Sequence, residues 1–438
     1  MRMNADSPAS TAERPPWRSL GTVALAGLVG AYLVRTWGGY PICRMDEHHW
    51  AFIARAVQQG IDWPVSGPLH FWTLRQLMHF SDMSPDRALA VLGMVSVPLI
   101  LAVLWAGYRM LGITRPADAL LCLATSTYFL APLLESRPQQ WGQALVFLHL
   151  CLCLRALRDQ RPSWPCMVLA PLVALLHILS FAILAVASFV LLAGAYLSGT
   201  RNRAGFAGPV VGLSLGLVVF VVPGTPYGAM LADIRHSQLL LTPSAGMVAG
   251  GAAVALAVLL ALAKPAWPRL APAGRHALEI LDRHPRWVLG LLLLPAAGAL
   301  GMQALLLPPD AWKPYKNQPA LFFVAQAGNL LFLALALRGT GVARVHWLAG
   351  RGRPMLQDLL GLASAGGVLA ALALVGSFWL RDTNWMLRVL NYAVLWAAPL
   401  AALGIADSRH TARLRIACCA AGAVSLVATV RPPLLFQC

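Results

Sequence analysis

Charge is scarce in this chain. Only 12% of its 438 residues are Asp, Glu, Lys or Arg, and lysine occurs three times, at Lys264, Lys313 and Lys316. With 58% hydrophobic residues and a mean hydropathy of +0.65, that scarcity excludes an ordinary soluble globular domain. Other absences narrow the reading. No P-loop and no GxGxxG between a strand and a helix is present, which removes the two commonest nucleotide-binding patterns. HExxH and CxxC are missing as well, so neither the helical zinc-protease pair nor a cysteine knuckle is encoded. No internal repeat is evident, and no stretch reads as a separate soluble domain.

What fills the chain is apolar sequence, in runs of about 20 residues, the length that crosses a bilayer. Thirteen runs read as spans: 19–38, 89–108, 117–133, 139–157, 165–180, 181–198, 206–223, 245–263, 287–307, 319–337, 357–380, 389–404 and 416–430. The expected fold is therefore all-α and polytopic. A cytoplasmic tail (1–18) leads into one membrane domain (19–430) that includes a long outer loop (39–88), and an outer tail (431–438) follows.

The net charge of +17 does not imply nucleic acid, because the basic residues form short clusters between apolar runs instead of one stripe. Topology accounts for them. With the N-terminus inside, 22 of the 34 Lys and Arg fall on cytoplasmic segments, Arg155 at a span edge included, although the longest loop is outside. Residues 165–198 test this arrangement. The run exceeds thirty residues and has arginines at both ends, so two short helices turning near Ser180 are expected. Of the eight cysteines, Cys122, Cys151, Cys153, Cys166, Cys418 and Cys419 lie in or beside spans and read as small apolar residues. Cys43 and Cys438 share the outer side, where a disulfide is permitted.

The outer loop has its own pattern. In "RMDEHHWAFIARAVQQG", Trp50, Ile53, Ala54 and Val57 recur at helical spacing and end at Gly60. A second amphipathic stretch, "GPLHFWTLRQLMHF", follows from Gly67 to Phe80. Both read as helices on the membrane surface, with Trp50, Trp63 and Trp72 at headgroup level. Ser84 and Pro85 then open the next span as cap and first helical residue.

Asp46 and Glu47 sit in the first turn of that first helix. Two readings stand side by side: acidic residues complementing a helix dipole, or a carboxylate stationed for chemistry. Their company on the outer side includes Glu135 and Arg137 in "LESRP", Asp310, Lys313, Tyr315 and Lys316 in "PPDAWKPYKNQ", and Arg381, Asp382 and Arg388 in "RDTNWMLR". Lysines there run against the inside bias, so they grip either lipid headgroups or an anionic substrate. Arg137 either holds a phosphate or pairs with Glu135. His48 and His49 are surface histidines or assist a metal beside the acidic pair, and His177 is an ionisable group inside a span.

A group transferred on the outer face must come from a donor carried by the membrane. For a polyprenyl-phosphate sugar, one carboxylate takes the acceptor's proton while cations hold the departing phosphate. The succession of first span, "RMDEHHWAFIARAVQQG", "GPLHFWTLRQL", "SPDRALAVLGMVSVPLILAVLW" and "LLESRPQQWGQALVFLHL" resembles the N-terminal half of the GT-C membrane glycosyltransferases, over residues 20 to 200. It is similar to the branch of protein O-mannosyltransferases and lipid A aminoarabinose transferases. The resemblance implies Asp46 as catalytic base with Glu47 as its acidic neighbour, and a polyprenyl-phosphate sugar as donor. It places the family's second acidic position at Glu135, beside Arg137.

Arg137, Lys313, Lys316 and Arg381 are then the candidate phosphate-binding residues, with Arg44, His48, His49, His70 and Glu135 as accessory residues. Part of that superfamily uses a divalent cation, so metal use stays open. The partners expected are the bilayer, the lipid-linked sugar and an acceptor that is protein, lipid or glycan. The setting expected is a bacterial inner membrane with its site on the periplasmic or extracellular side. The competing readings are a transporter or lipid flippase, and a non-catalytic scaffold.

Overall fold

The computed structural model describes residues 16–38, 45–61, 67–197, 203–221, 319–348, 353–380 and 384–430. Among them every regular element is an α-helix, as a chain that must satisfy its backbone within lipid requires. Numbered over the described residues, the helices are α1 (Pro16–Gly38), α2 (Met45–Gln58), α3 (Pro68–Ser81), α4 (Pro85–Met110), α5 (Pro116–Ala124), α6 (Thr127–Leu134) and α7 (Pro138–Asp159). These are followed by α8 (Trp164–Leu176), α9 (Ile178–Leu197), α10 (Arg203–Val221), α11 (Pro319–Leu348), α12 (Arg353–Leu380), α13 (Asn384–Ala406) and α14 (Thr411–Val430).

Six of these, α1, α4, α7, α9, α12 and α13, are long and apolar enough to cross a membrane, and α5 with α6 makes a seventh if counted as one broken span. The chain is thus built as a multi-pass membrane protein. Among the described residues thirteen full spans are not seen. Two expected ranges, 245–263 and 287–307, lie outside the described residues, and the apolar helices within α8, α10 and α11 are short. At 1.5 Å per residue the 13 residues of α8 rise only about 20 Å, less than the ~30 Å hydrocarbon core.

The run 165–198 does fold as two helices. The break falls at His177, three residues before the expected turn, in extended backbone (φ −165°, ψ 123°). Its ring caps the next helix, with Nδ1 accepting the Ser180 N–H at 3.3 Å and lying 2.9 Å from Ser180 Oγ. Gly208 and Gly212 of α10 approach Ser163 and Cys166 at the start of α8, so the pair returns to the end from which it set out. His177 therefore supplies a helix N-terminus with a partner.

The expected span 117–133 is broken. α5 and α6 meet at 89° around Thr125 and Ser126, because three consecutive hydroxyl residues offer the backbone alternatives to helix. Neighbours satisfy the break. Ser425 Oγ donates to the Thr125 carbonyl at 2.6 Å, while Asn329 Oδ1 accepts from Ser126 Oγ (2.8 Å) and the Thr127 N–H (3.1 Å). Gly328 leaves no room for a side chain against Thr125 and Ser425.

One large apolar core runs through the bundle, and a second, small one forms where α2 and α3 pack on the first turns of α4. Trp50, Ile53 and Ala54 are buried there with Phe71, Leu74, Ala88 and Leu89. The apolar face read from sequence exists, but it covers α4 instead of resting on lipid. Trp50 is accordingly buried, a correction to its expected headgroup position, whereas Trp72 is exposed and Trp63 lies outside the described residues. Ser84 does precede α4, with Pro85 at its start, but its side chain makes no cap bond.

Candidate functional site at one end of the bundle

The site begins with a charge inside a span. Arg35, near the end of α1, is 1% exposed, and Glu47, in the first turn of α2, is 0% exposed. Arg35 donates from Nη1 to Glu47 Oε2 at 2.8 Å and from Nη2 to Oε1 at 2.5 Å. Nη2 also donates to the Leu134 carbonyl at 2.9 Å, covering an unpaired C-terminal acceptor of α6. The Ser136 N–H donates to Glu47 Oε1 at 2.6 Å. One carboxylate and one guanidinium thereby tie α1, α2 and the α6–α7 connection into a single unit.

That closeness requires Gly93 on α4, where a Cβ would run into Arg35 Nη2 and meet Ser136 Cβ. Burial raises the Glu47 carboxyl above its ordinary range and Glu135 adds to the rise, against the lowering effect of Arg35 and the Ser136 N–H. A pair so fully desolvated is held by geometry, and taking away either partner would leave a charge buried alone.

The connection carries the second acidic position. Glu135 is buried, and Arg137 pairs with it at 3.0 Å (Nε to Oε2). Gln140, in the first turn of α7, donates from Nε2 to the Leu133 carbonyl at 2.6 Å, and Trp141 donates to Ser96 Oγ of α4 at 2.8 Å. On the far side of α7, Gly142 abuts Ser180, whose Oγ lies 2.6 Å from Tyr392 Oη of α13. Arg137 and Arg388 both act electrostatically on Tyr392. Gly67, which leads into α3, sits against Pro138 and the Leu176 carbonyl. The α2–α3 segment, the α6–α7 connection, the His177 break and the start of α13 therefore meet at one end. At the other, α7 joins α12 through Arg158–Asp358 (2.9 Å) and α5 joins α14 through Arg415–Asp118 (2.8 Å).

Of the residues singled out from sequence, Glu47, Glu135 and Arg137 are brought together here. Asp46 is the second residue of α2, immediately before the buried Glu47; its side chain and that of His48 lie outside the described residues, as do Arg44, Lys313, Lys316 and Arg381. His49 is exposed. His70 is buried with its ring edge-on to Trp50, centroids 5.2 Å apart, and burial alone lowers its pKa to about 3. His79 is exposed beside Phe80.

Among the described residues no three His, Cys, Asp or Glu side chains gather as a metal site. Glu47 and Glu135 are each engaged by an arginine, and nothing in that arrangement fits a divalent cation in place of the ion pairs.

Sequence reading passed over Arg35, Gly93, Gln140 and Tyr392, and took Ser180 only as the place of a turn. Arg35 was accessible in principle, since an isolated charge in an apolar run implies a buried partner. Gly93 and Tyr392 carry no local signal. Comparison with protein-family models, curated proteins and solved structures returned no match for this chain.

Proposed function

We propose that this protein is an inverting, GT-C-like glycosyltransferase that moves a sugar from a polyprenyl-phosphate carrier to an acceptor hydroxyl at the outer face of the membrane. The observation that supports this most is the clamp of Arg35, Glu47 and Ser136. It draws the acidic start of α2 against the connection bearing Glu135 and Arg137, so carboxylate and cation occupy one end of a membrane bundle.

In this reading Asp46 is the base. It takes the proton of the acceptor hydroxyl as that oxygen bonds to the anomeric carbon, and the bond from that carbon to the carrier phosphate breaks with its electron pair leaving on phosphate. One in-line displacement inverts the anomeric centre. Arg137, Lys313, Lys316 and Arg381 would balance the charge of the released polyprenyl phosphate. Glu47 we assign to positioning, since both its oxygens are engaged by Arg35. No step is routed through a metal.

The transporter or flippase reading has one observation in its favour, the 89° break between α5 and α6, because interrupted helices often line transport sites. At that break the hydroxyl and amide groups bond one another, as Ser126 and Thr127 do with Asn329. The polar groups of the Arg35–Glu47 end favour chemistry there.

The test is reconstitution. Purified protein in liposomes, supplied with short-chain polyprenyl-phosphate sugars and membrane extract as acceptor, should release polyprenyl phosphate only when acceptor is present. Release without transfer would contradict the transferase reading, and movement of intact donor across the bilayer with no bond broken would count for the rival.

A further inference from the structure

Four buried polar atoms gather where α7 begins and have no hydrogen-bond partner among the described residues: Ser136 Oγ, Gln139 Nε2, Gln140 Oε1 and Gln143 Nε2. Their residues are between 0% and 4% exposed. Native interiors rarely leave such groups unpaired, and four within eight residues is a concentration, not a scatter. Neighbouring positions fix the direction they occupy. Gln140 Nε2 and Trp141 bond toward α6 and α4, and Gly142 abuts Ser180 on α9. Gln139 and Gln143, one turn apart and so on one face, lie between those two directions, in the first two turns of the helix that follows Glu135 and Arg137.

The chemistry of the set selects its ligand. An anion would call for donors alone and a cation for acceptors alone. Here two amide donors, an amide acceptor and a hydroxyl fall at positions 136, 139, 140 and 143, the spacing of one helical face, just after an acid–base pair whose charges balance. Groups that donate and accept at once, the hydroxyls of a sugar, match that mixture.

We propose that Ser136, Gln139, Gln140 and Gln143 form the subsite that holds the sugar headgroup of the lipid-linked donor, a proposal resting on the transferase reading above. The test uses the full chain in nanodiscs and compares binding of farnesyl phosphate with farnesyl-phosphate-linked hexoses and pentoses. The wild type should bind at least one sugar-bearing probe tenfold or more tighter than bare farnesyl phosphate. Joint replacement Gln139→Leu and Gln143→Leu should erase that preference and leave bare farnesyl phosphate binding within twofold. Because leucine removes unpaired polar groups instead of breaking bonds, the thermal midpoint should hold or rise.

A double variant that keeps the preference, or loses it together with a fall in midpoint, overturns the subsite. So does a wild type that binds bare farnesyl phosphate but prefers no sugar, which leaves the amides holding water only. Failure of the wild type to bind any of the probes counts against the transferase reading itself and carries the subsite with it.

Discussion

Arg35 and Glu47, twelve residues apart in sequence, share two hydrogen bonds across the junction of α1 and α2, with both side chains out of solvent. Removing one partner of such a pair costs about 3–5 kcal/mol, whereas replacing both with apolar residues of similar size is often close to neutral. Arg35→Leu and Glu47→Leu should each lower the thermal midpoint in detergent sharply, and the double variant should recover most of the loss. Additive losses would show that the two do not act as a pair.

Gly93 makes the same junction possible by having no side chain. Gly93→Val should push Arg35 off Glu47 and lower stability by about 1–3 kcal/mol, the usual cost of overpacking. Combining it with Arg35→Leu should cost less than the sum of the two. A neutral Gly93→Val would contradict the packing described here.

His70 makes the α2–α3 packing sensitive to acid. Its folded pKa of about 3 lies below the ordinary 6.5, so the folded chain binds fewer protons than the unfolded one between those values. Stability is then fully present above pH 6.5 and falls as the pH drops, by about 1.4 kcal/mol per unit, until the folded value is reached. Protection of α2 and α3 backbone amides against hydrogen exchange should fall between pH 6.5 and 4.5, once corrected for intrinsic exchange rates. His70→Phe should remove that dependence, and an unchanged profile in the variant would assign the effect elsewhere.

The expected orientation can be checked by labelling. Cysteines in place of Asp62 and Trp312 should react with an impermeant reagent from outside, and one in place of Ala273 should not. The reverse pattern would put the whole site on the cytoplasmic face.

How much of this was legible follows from where the signals lie. α2 and α3 could be read because their apolar positions recur at helical spacing within one segment, and Gly60 and Pro68 bound them. What that spacing could not say was what the face covers; α4 supplies the partner, not lipid. Glu47 stood out as an acid in a first turn, but its role depends on Arg35 before it and Ser136 far beyond it, contacts no local pattern encodes.

The hairpin at 165–198 was readable from arginines at both ends, with the turn misplaced only because His177 caps the second helix. The break at Thr125 and Ser126 was missed because an apolar run of span length conceals a bend that Asn329 and Ser425, some two hundred and three hundred residues away, hold in place.

In the proposed reaction Asp46, the acid beside this clamp, is the base and the clamp only positions it. Sugar transfer from a polyprenyl-phosphate donor by Asp46→Asn, measured beside Glu47→Gln on equal amounts of folded protein in liposomes, tests that role most directly. Asp46→Asn should have no measurable turnover yet bind donor normally, while Glu47→Gln should keep partial turnover. Near-normal transfer by Asp46→Asn would contradict it.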